Sequence, residues 1–158
     1  MPHARQENDQ LKQIAPDIYN AVLALSQLAG KAGLDKQLLE LIKIRASQIN
    51  RCAFCVQYHI LAAERLGVSV DKINLVAVWR EAPQFSGRER AALAWTEALT
   101  ELGAGVSDEV YAEASAAFSE KELAYLTSAV AVINVWNRYG VAYRWSPPAR
   151  KAASAAAS

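Results

Sequence analysis

Hydrophobic and polar residues alternate along this chain mostly with the period of an α-helix. The first clear case is the stretch from Pro16 to Ala29, whose apolar positions 18, 22, 25 and 28 or 29 form one stripe, with Gly30 as its predicted end. Later apolar runs are rich in Ala and Leu and begin at helix caps instead of two-residue β-turns. Strand patterns are nearly missing, so the pattern predicts an all-α fold.

The caps divide the rest of the chain into further helices. They are predicted at about residues 36–48 after Asp35, 51–66 after Asn50, 72–80, 87–102 after the capping box Ser86 to Glu89, 108–118, and from Ser119 through Ile133. The polar, aperiodic residues 1–10 predict a flexible arm and the low-complexity residues 146–158 a disordered tail. Residues 11–145 are therefore expected to form one helical domain.

Composition and charge narrow the classes of function. A chain of 158 residues that is 53% hydrophobic is long enough for one domain with a sizeable core. Its 17 basic and 16 acidic residues are dispersed, which argues against nucleic-acid binding. No apolar N-terminal stretch resembles a secretion signal, and the apolar run Leu123 to Trp136 is too short and too polar to span a bilayer. We therefore expect a cytoplasmic protein without a membrane partner.

The candidate chemistry lies between residues 40 and 59. Cys52, Cys55 and His59 are spaced by three and four residues, so one helix face is predicted to carry two thiols and an imidazole. Asn50 is a good N-cap, which would place the cysteines near the free N–H groups of a first turn, and Arg51 adds a positive charge. Both features favour thiolate. In a reducing compartment such a pair is expected to be catalytic or metal-binding.

Glu40 joins this group only if the chain folds back. Along one continuous helix Glu40 would lie roughly 18 Å from Cys52 at about 1.5 Å per residue. A turn at residues 49 and 50 instead makes an antiparallel hairpin in which residues 40 and 59 are level. The apolar residues around Glu40 predict its burial, and a buried carboxylate needs a partner. Glu40 would then orient His59, and His59 would take a proton from a thiol.

This pattern of Glu40, eleven residues, Cys-x-x-Cys, three residues and His59 resembles the alkylhydroperoxidase AhpD proteins of the carboxymuconolactone decarboxylase superfamily. The resemblance extends less specifically over residues 38–144, including INRCAFCVQYH, FSGRERAALAW and the segment Asn134-Val-Trp-Asn-Arg. One position departs from it: AhpD proteins of defined activity carry a second histidine immediately before the later cysteine, where this chain has Phe54.

The resemblance implies an all-helical, oligomeric thiol peroxidase, a homotrimer or homohexamer, that reduces organic hydroperoxides. By the same resemblance Cys55 becomes the sulfenic acid and Cys52 closes the disulfide. A dithiol or a disulfide reductase would return the electrons, and no permanently bound cofactor is expected.

Other readings of the same residues stay open. The cysteines could be a structural disulfide, although a bridge across so short a loop constrains the unfolded chain little. Cys52, Cys55, His59 and Glu40 could bind zinc in a non-catalytic or scaffold module. A protein thiol-disulfide reductase and a decarboxylase-like enzyme of the same superfamily are the remaining alternatives.

A faint internal repeat adds one prediction about the fold. A shift of 84 residues places Ile133 and Asn134 over Ile49 and Asn50, and in both places a long apolar run precedes the pair. This echo suggests a duplicated helical hairpin, with a second turn near Asn134.

Overall fold

The computed structural model describes residues 4–151 and is helical throughout, so the all-α prediction is confirmed. Eight α-helices follow one another within this range, and no β-strand occurs in it. They are α1 (Asn8–Ile14), α2 (Pro16–Lys31), α3 (Lys36–Ile49), α4 (Ala53–Arg65), α5 (Val70–Leu75), α6 (Gly87–Thr100), α7 (Asp108–Ala117) and α8 (Glu120–Tyr143). Two short 3₁₀ segments, Val76–Glu81 and Leu102–Ala104, follow α5 and α6. None of the helices in the described range is long and apolar enough to cross a membrane.

Helix α3 is the centre of the molecule. It packs against α4, α6 and α8, and eight of its side chains are buried. Its apolar residues lie around most of its circumference, so it is surrounded by neighbours instead of facing solvent on one side. The Asp35 side chain accepts a hydrogen bond from the backbone N–H of Gln37, which confirms the predicted start of this helix.

The predicted turn between α3 and α4 is present, but the predicted cap is wrong. Asn50 ends α3, Arg51 has a left-handed backbone with φ of 57°, and Cys52 is the N-cap of α4. The Cys52 Sγ accepts a hydrogen bond from the Cys55 N–H at 3.3 Å. Asn50 does not cap α4 because its side chain donates to Asn134 and Asn137 on α8, at 2.8 and 2.9 Å.

The second turn suggested by the internal echo is also wrong. Helix α8 continues without a break through Asn134 to Tyr143. The Asn134 side chain donates to the carbonyl of Val130 one turn earlier, at 2.9 Å, and so remains within the helix. Asn50 and Asn134, the two positions that the echo aligns, are hydrogen-bonded to each other instead of occupying equivalent turns.

The described residues near both ends of the chain make contacts with the rest of the domain. Helix α1 begins inside the predicted arm, because Glu7 and Gln10 form a reciprocal capping box. Residues 146–151 form no regular helix, yet Ser146 donates to Glu7 and Arg150 forms a double hydrogen bond with Glu64. The remaining parts of both predictions, residues 1–3 and 152–158, lie outside the described residues.

The other predicted caps give the helices their observed bounds. Ser86 with Glu89 and Ser119 with Glu122 form complete capping boxes, and Gly67 has the positive φ of a helix stop. Several bounds differ from the prediction: α4 begins at Ala53 instead of residue 51, α5 begins at Val70 instead of residue 72, α6 ends at Thr100 instead of residue 102, and α8 continues past Ile133 to Tyr143. Helix α2 continues one residue past Gly30, and the segment predicted as one helix over 72–80 changes from α to 3₁₀ at Val76.

Asn137 ties α8 to the turn after α3. It is fully buried, donates to the Ser47 hydroxyl at 2.9 Å and accepts from Asn50 at 2.9 Å. Loss of one member of such a network leaves buried partners without hydrogen bonds.

Asn137→Ala is therefore expected to lower the free energy of unfolding by about 1–3 kcal/mol. Chemical denaturation followed by circular dichroism measures this change. Ser128→Ala on the same helix, where an exposed hydroxyl is removed, serves as the control and should change it by less than about 0.5 kcal/mol. Equal effects of the two substitutions would contradict the role given to Asn137.

Candidate active site

Glu40 and His59 face each other across the α3–α4 hairpin, as the mirror register predicted. Their Oε2 and Nδ1 atoms are 2.7 Å apart, and the other carboxylate oxygen accepts from Lys43 Nζ at 2.8 Å. Glu40 is buried, with 8% of its surface exposed. A carboxylate only accepts hydrogen bonds, so Nδ1 of His59 carries the proton and Nε2 is left as the acceptor.

Burial and charge set the protonation states of this pair. Burial raises the pKa of Glu40, but the hydrogen bonds and charges of His59 and Lys43 outweigh it, so the pKa of Glu40 lies below its ordinary value. Burial lowers the pKa of His59 below its ordinary 6.5, against the opposing effect of Glu40. At neutral pH the group is an ionised Glu40 paired with Lys43 and a neutral His59 that is able to accept a proton.

The two cysteines meet at the start of α4. Cys52 and Cys55 form a disulfide in the structure, and both are buried, with 1% and 3% of their surfaces exposed. Cys55 and His59 are one helical turn apart on the same face of α4, as predicted. Cys52 departs from that prediction, because it precedes the helix and caps it.

A cavity of about 260 Å³ brings the reactive groups together. Cys55, His59, Glu40 and Lys43 all line it. The rest of the lining is mainly aromatic and aliphatic and comes from α2, α4, α8 and the segment after α8: Tyr19, Leu23, Phe54, Tyr58, Val132, Ile133, Trp136 and Trp145. Cys52 is not among the residues that line this cavity. Cys55 is thus the cysteine that shares a chamber with the Glu40–His59 pair.

Gly140 of α8 forms the wall behind the disulfide. A methyl group on Gly140 would approach the Cys55 Sγ to 3.3 Å and would overlap the Cys52 Sγ. Only glycine therefore lets α8 lie this close to the cysteine pair. The backbone N–H of Trp145 returns to the Gly140 carbonyl at 3.1 Å, and its ring packs edge-on against Phe54 with centroids 5.3 Å apart.

Sequence reasoning missed Gly140, Lys43 and the aromatic residues of α2 and α8. Lys43 had a local signal, because a residue three positions after Glu40 shares its helix face. Gly140 and Trp145 carry no local signal, since they reach the site only through packing of α8 against α4.

Comparison with known proteins gives the chain a family. The model of the carboxymuconolactone decarboxylase family matches residues 16–98, which include Glu40, Cys52, Cys55 and His59. The chain belongs to this family. Among its relatives, the uncharacterized protein YdfG of Bacillus subtilis (strain 168) is 31% identical over 131 residues, which cover 82% of this chain and 89% of YdfG.

Solved structures of other proteins share the fold. A crystal structure of a protein of unknown function from Agrobacterium tumefaciens, for which a role as the antioxidant defence protein AhpD has been suggested, has a TM-score of 0.86 and 37% identity, covering 92% of this chain and 99% of that one. The debrominase Bmp8 has a TM-score of 0.77 at 22% identity, covering 85% and 73%, and supports the fold alone. The AhpD-like fold predicted from the sequence is thereby confirmed.

Gly140→Ala is expected to make the disulfide easier to reduce, because the added methyl overlaps the Cys52 sulfur. Overpacking of this kind costs about 1–3 kcal/mol, which corresponds to a shift of about 5- to 150-fold in the equilibrium constant. Titration with a thiol redox buffer measures the shift.

Gly30→Ala on α2 is the matched control for this change. No atom lies within 4 Å of the added methyl there, so the redox equilibrium should stay unchanged. An equilibrium constant for Gly140→Ala equal to that of the wild type would contradict the packing argument.

The neutral state of His59 predicts a pH-dependent stability. Its folded pKa is lowered, so the unfolded chain takes up a proton as the pH falls through about 6.5 while the folded chain does not. The contribution of neutral His59 to the free energy of unfolding is complete above pH 6.5. It is lost as the pH falls from 6.5 towards the pKa of His59 in the folded chain. Between pH 8 and 5.5 the wild type should therefore lose more unfolding free energy than His59→Gln, as measured by urea denaturation. An equal loss would contradict the assignment.

Proposed function

We propose that this protein is a thiol-dependent peroxidase that reduces organic hydroperoxides through Cys52 and Cys55. The observation that carries the proposal is the cavity that holds Cys55 together with the Glu40–His59 pair. A thiol, a neutral imidazole and a carboxylate that orients it form the nucleophile, base and orienting group of an activated cysteine.

In the proposed reaction His59 Nε2 takes the proton of the reduced Cys55 thiol. The thiolate attacks the outer oxygen of the hydroperoxide, the O–O bond breaks, and the protonated His59 returns its proton to the departing alkoxide, which leaves as an alcohol. Cys55 is now a sulfenic acid. The Cys52 thiolate then attacks the Cys55 sulfur, the S–O bond breaks, and the hydroxide leaves as water with the proton that Cys52 released. The hydroperoxide gains two electrons and the cysteine pair loses two.

Contacts at the start of α4 suit Cys52 to the second step. Its sulfur already accepts a hydrogen bond from the Cys55 N–H in the first turn of the helix, and this donor would stabilise a thiolate after reduction. The close spacing of the two cysteines lets Cys52 resolve the sulfenic acid before a second peroxide oxidises it further.

The lining of the cavity supports an organic substrate. Aromatic rings and aliphatic side chains form most of its wall, and its charged groups are Glu40 and Lys43. Phe54, at the position where AhpD proteins of defined activity have a histidine, packs against Trp145 and stacks on Tyr58. The proton path of this chain therefore depends on His59, and Phe54 adds apolar surface for the organic group.

An antioxidant role agrees with the one suggested for the similar protein from Agrobacterium tumefaciens. A protein thiol-disulfide reductase would use the same cysteines but would have no need of the apolar cavity beside Cys55.

Within residues 4–151 no three His, Cys, Asp or Glu side chains form a group that could hold a metal ion. A dithiol electron donor and a trimeric or hexameric assembly remain part of the proposal.

Reduced, metal-free protein treated with one equivalent of cumene hydroperoxide should lose both thiols and two mass units. His59→Gln should slow this reaction by about 10²–10⁴-fold, the usual contribution of a general base, and Glu40→Gln should slow it less. Stopped-flow fluorescence and intact mass spectrometry follow the reaction.

Glu64→Gln, on the exposed face of the same helix as His59, is the control and should react at the wild-type rate. Thiols that survive the hydroperoxide, or His59→Gln reacting as fast as the control, would overturn the proposed function.

A further inference from the structure

The two cysteines of the disulfide line different cavities. Cys55 lines the aromatic cavity described above, whereas Cys52 lines a second one that is shallow and open to solvent. The residues that line the second cavity are Gln48, Arg51, Cys52, Ala53, Val56, Gln57 and Pro147, and none of them lines the first.

Helical geometry places the two cavities on opposite sides of α4. Successive residues of a helix are about 100° apart, so positions 54, 55, 58, 59 and 62 share one side and positions 53, 56 and 57 share the other. Gly140 and α8 block a further side of the disulfide. Cys55 therefore lines the aromatic cavity and Cys52 lines the open one, although both cysteines are buried, with 3% and 1% of their surfaces exposed.

We propose that the second cavity is the site of an anionic dithiol reductant, which attacks Cys52 while the hydroperoxide is reduced at Cys55. This inference rests on the proposed function, in which the disulfide has to be reduced after each turnover. Thiol–disulfide exchange needs the attacking sulfur in line with the bond that breaks, and access decides which sulfur is attacked when both lie at one helix N-terminus.

The polar groups of the second cavity indicate the charge of the reductant. Arg51 is exposed and is the only charged residue among the lining residues that the structure describes. Gln48 lines the same cavity, and its buried Oε1, which has no hydrogen-bond partner among residues 4–151, can accept from a donor group of the reductant but does not favour its negative charge. A thiolate, or a carrier with further negative charge, is attracted by Arg51. The aromatic cavity differs, because its Lys43 is neutralised by Glu40.

The exchange balances in two steps. The first thiolate of the reductant bonds to Cys52, the disulfide breaks, and Cys55 leaves as a thiolate into the cavity of His59. The second thiolate of the reductant then attacks the reductant's own first sulfur, the bond to Cys52 breaks, and Cys52 leaves as a thiolate. The reductant becomes a disulfide and the cysteine pair gains two electrons.

A monothiol shows which cysteine is attacked, because it has no second thiol of its own with which to complete the exchange, and an early acid quench traps its mixed disulfide. Wild-type protein oxidised with diamide is mixed with 3-mercaptopropionate, quenched in acid at successive short times and mapped by peptide mass spectrometry. The mixed disulfide at the earliest times should be on Cys52, with Cys55 as the free thiol. A mixed disulfide on Cys55 would overturn the proposal.

The role of Arg51 is tested by Arg51→Asn, since asparagine tolerates the left-handed backbone at this position. Reduction by anionic 3-mercaptopropionate should slow on the order of fivefold relative to wild type, as expected for loss of one charge near contact. Reduction by cationic cysteamine should not slow. Equal slowing for both thiols would contradict an anion-selective site.

These experiments need no peroxidase activity, because the disulfide is formed with diamide. Failure of the proposed function would leave the position of the mixed disulfide measurable. Conversely, a mixed disulfide on Cys55 would leave hydroperoxide reduction intact and would remove only the second site.

Discussion

The buried carboxylate of Glu40 is the constraint on which the candidate site depends. A charged group inside a helical core is costly unless it is paired, and Glu40 has Lys43 on one oxygen and His59 on the other. The contact with His59 fixes the register of α3 against α4. In that register Cys55, one turn before His59, opens into the same chamber as the pair. The hydrogen bond between Glu40 and His59 therefore serves both the stability of the fold and the proposed chemistry.

Helix α8 supplies the second support, and it does so from a distance in sequence. Asn137 binds the turn after α3, and Gly140, one turn later, lies against the two sulfurs. A rigid helix fixed at the turn therefore also fixes the wall behind the disulfide. Trp145, just beyond the helix, returns to Gly140 and forms part of the aromatic cavity.

Local signals were enough to predict much of this arrangement. Helix caps such as Asp35, Ser86 and Ser119 act within four residues, so the sequence alone locates them. Residues 40 and 59 lie side by side because they are equally far from the turn that joins two antiparallel helices with the same rise per residue.

Contacts made across the chain could not be predicted in this way. The side chain of Asn50 looked like a helix cap, but α8 provides it with two better partners, and Cys52 takes the capping position instead. The apparent repeat at Asn134 failed for a related reason. An asparagine that bonds the carbonyl one turn earlier does not interrupt a helix whose other face is packed in the core. The second cavity likewise depends on where Pro147 lies after α8.

The central claim is that Cys55, in the chamber of Glu40 and His59, is the cysteine that a hydroperoxide oxidises. The most direct measurement is to treat Cys52→Ser and Cys55→Ser with one equivalent of cumene hydroperoxide and a probe that labels only sulfenic acid, followed by mass spectrometry. The account predicts one label on Cys55 of Cys52→Ser and none on Cys55→Ser. A label on Cys52 of Cys55→Ser, with Cys55 unlabelled in the other variant, would contradict it.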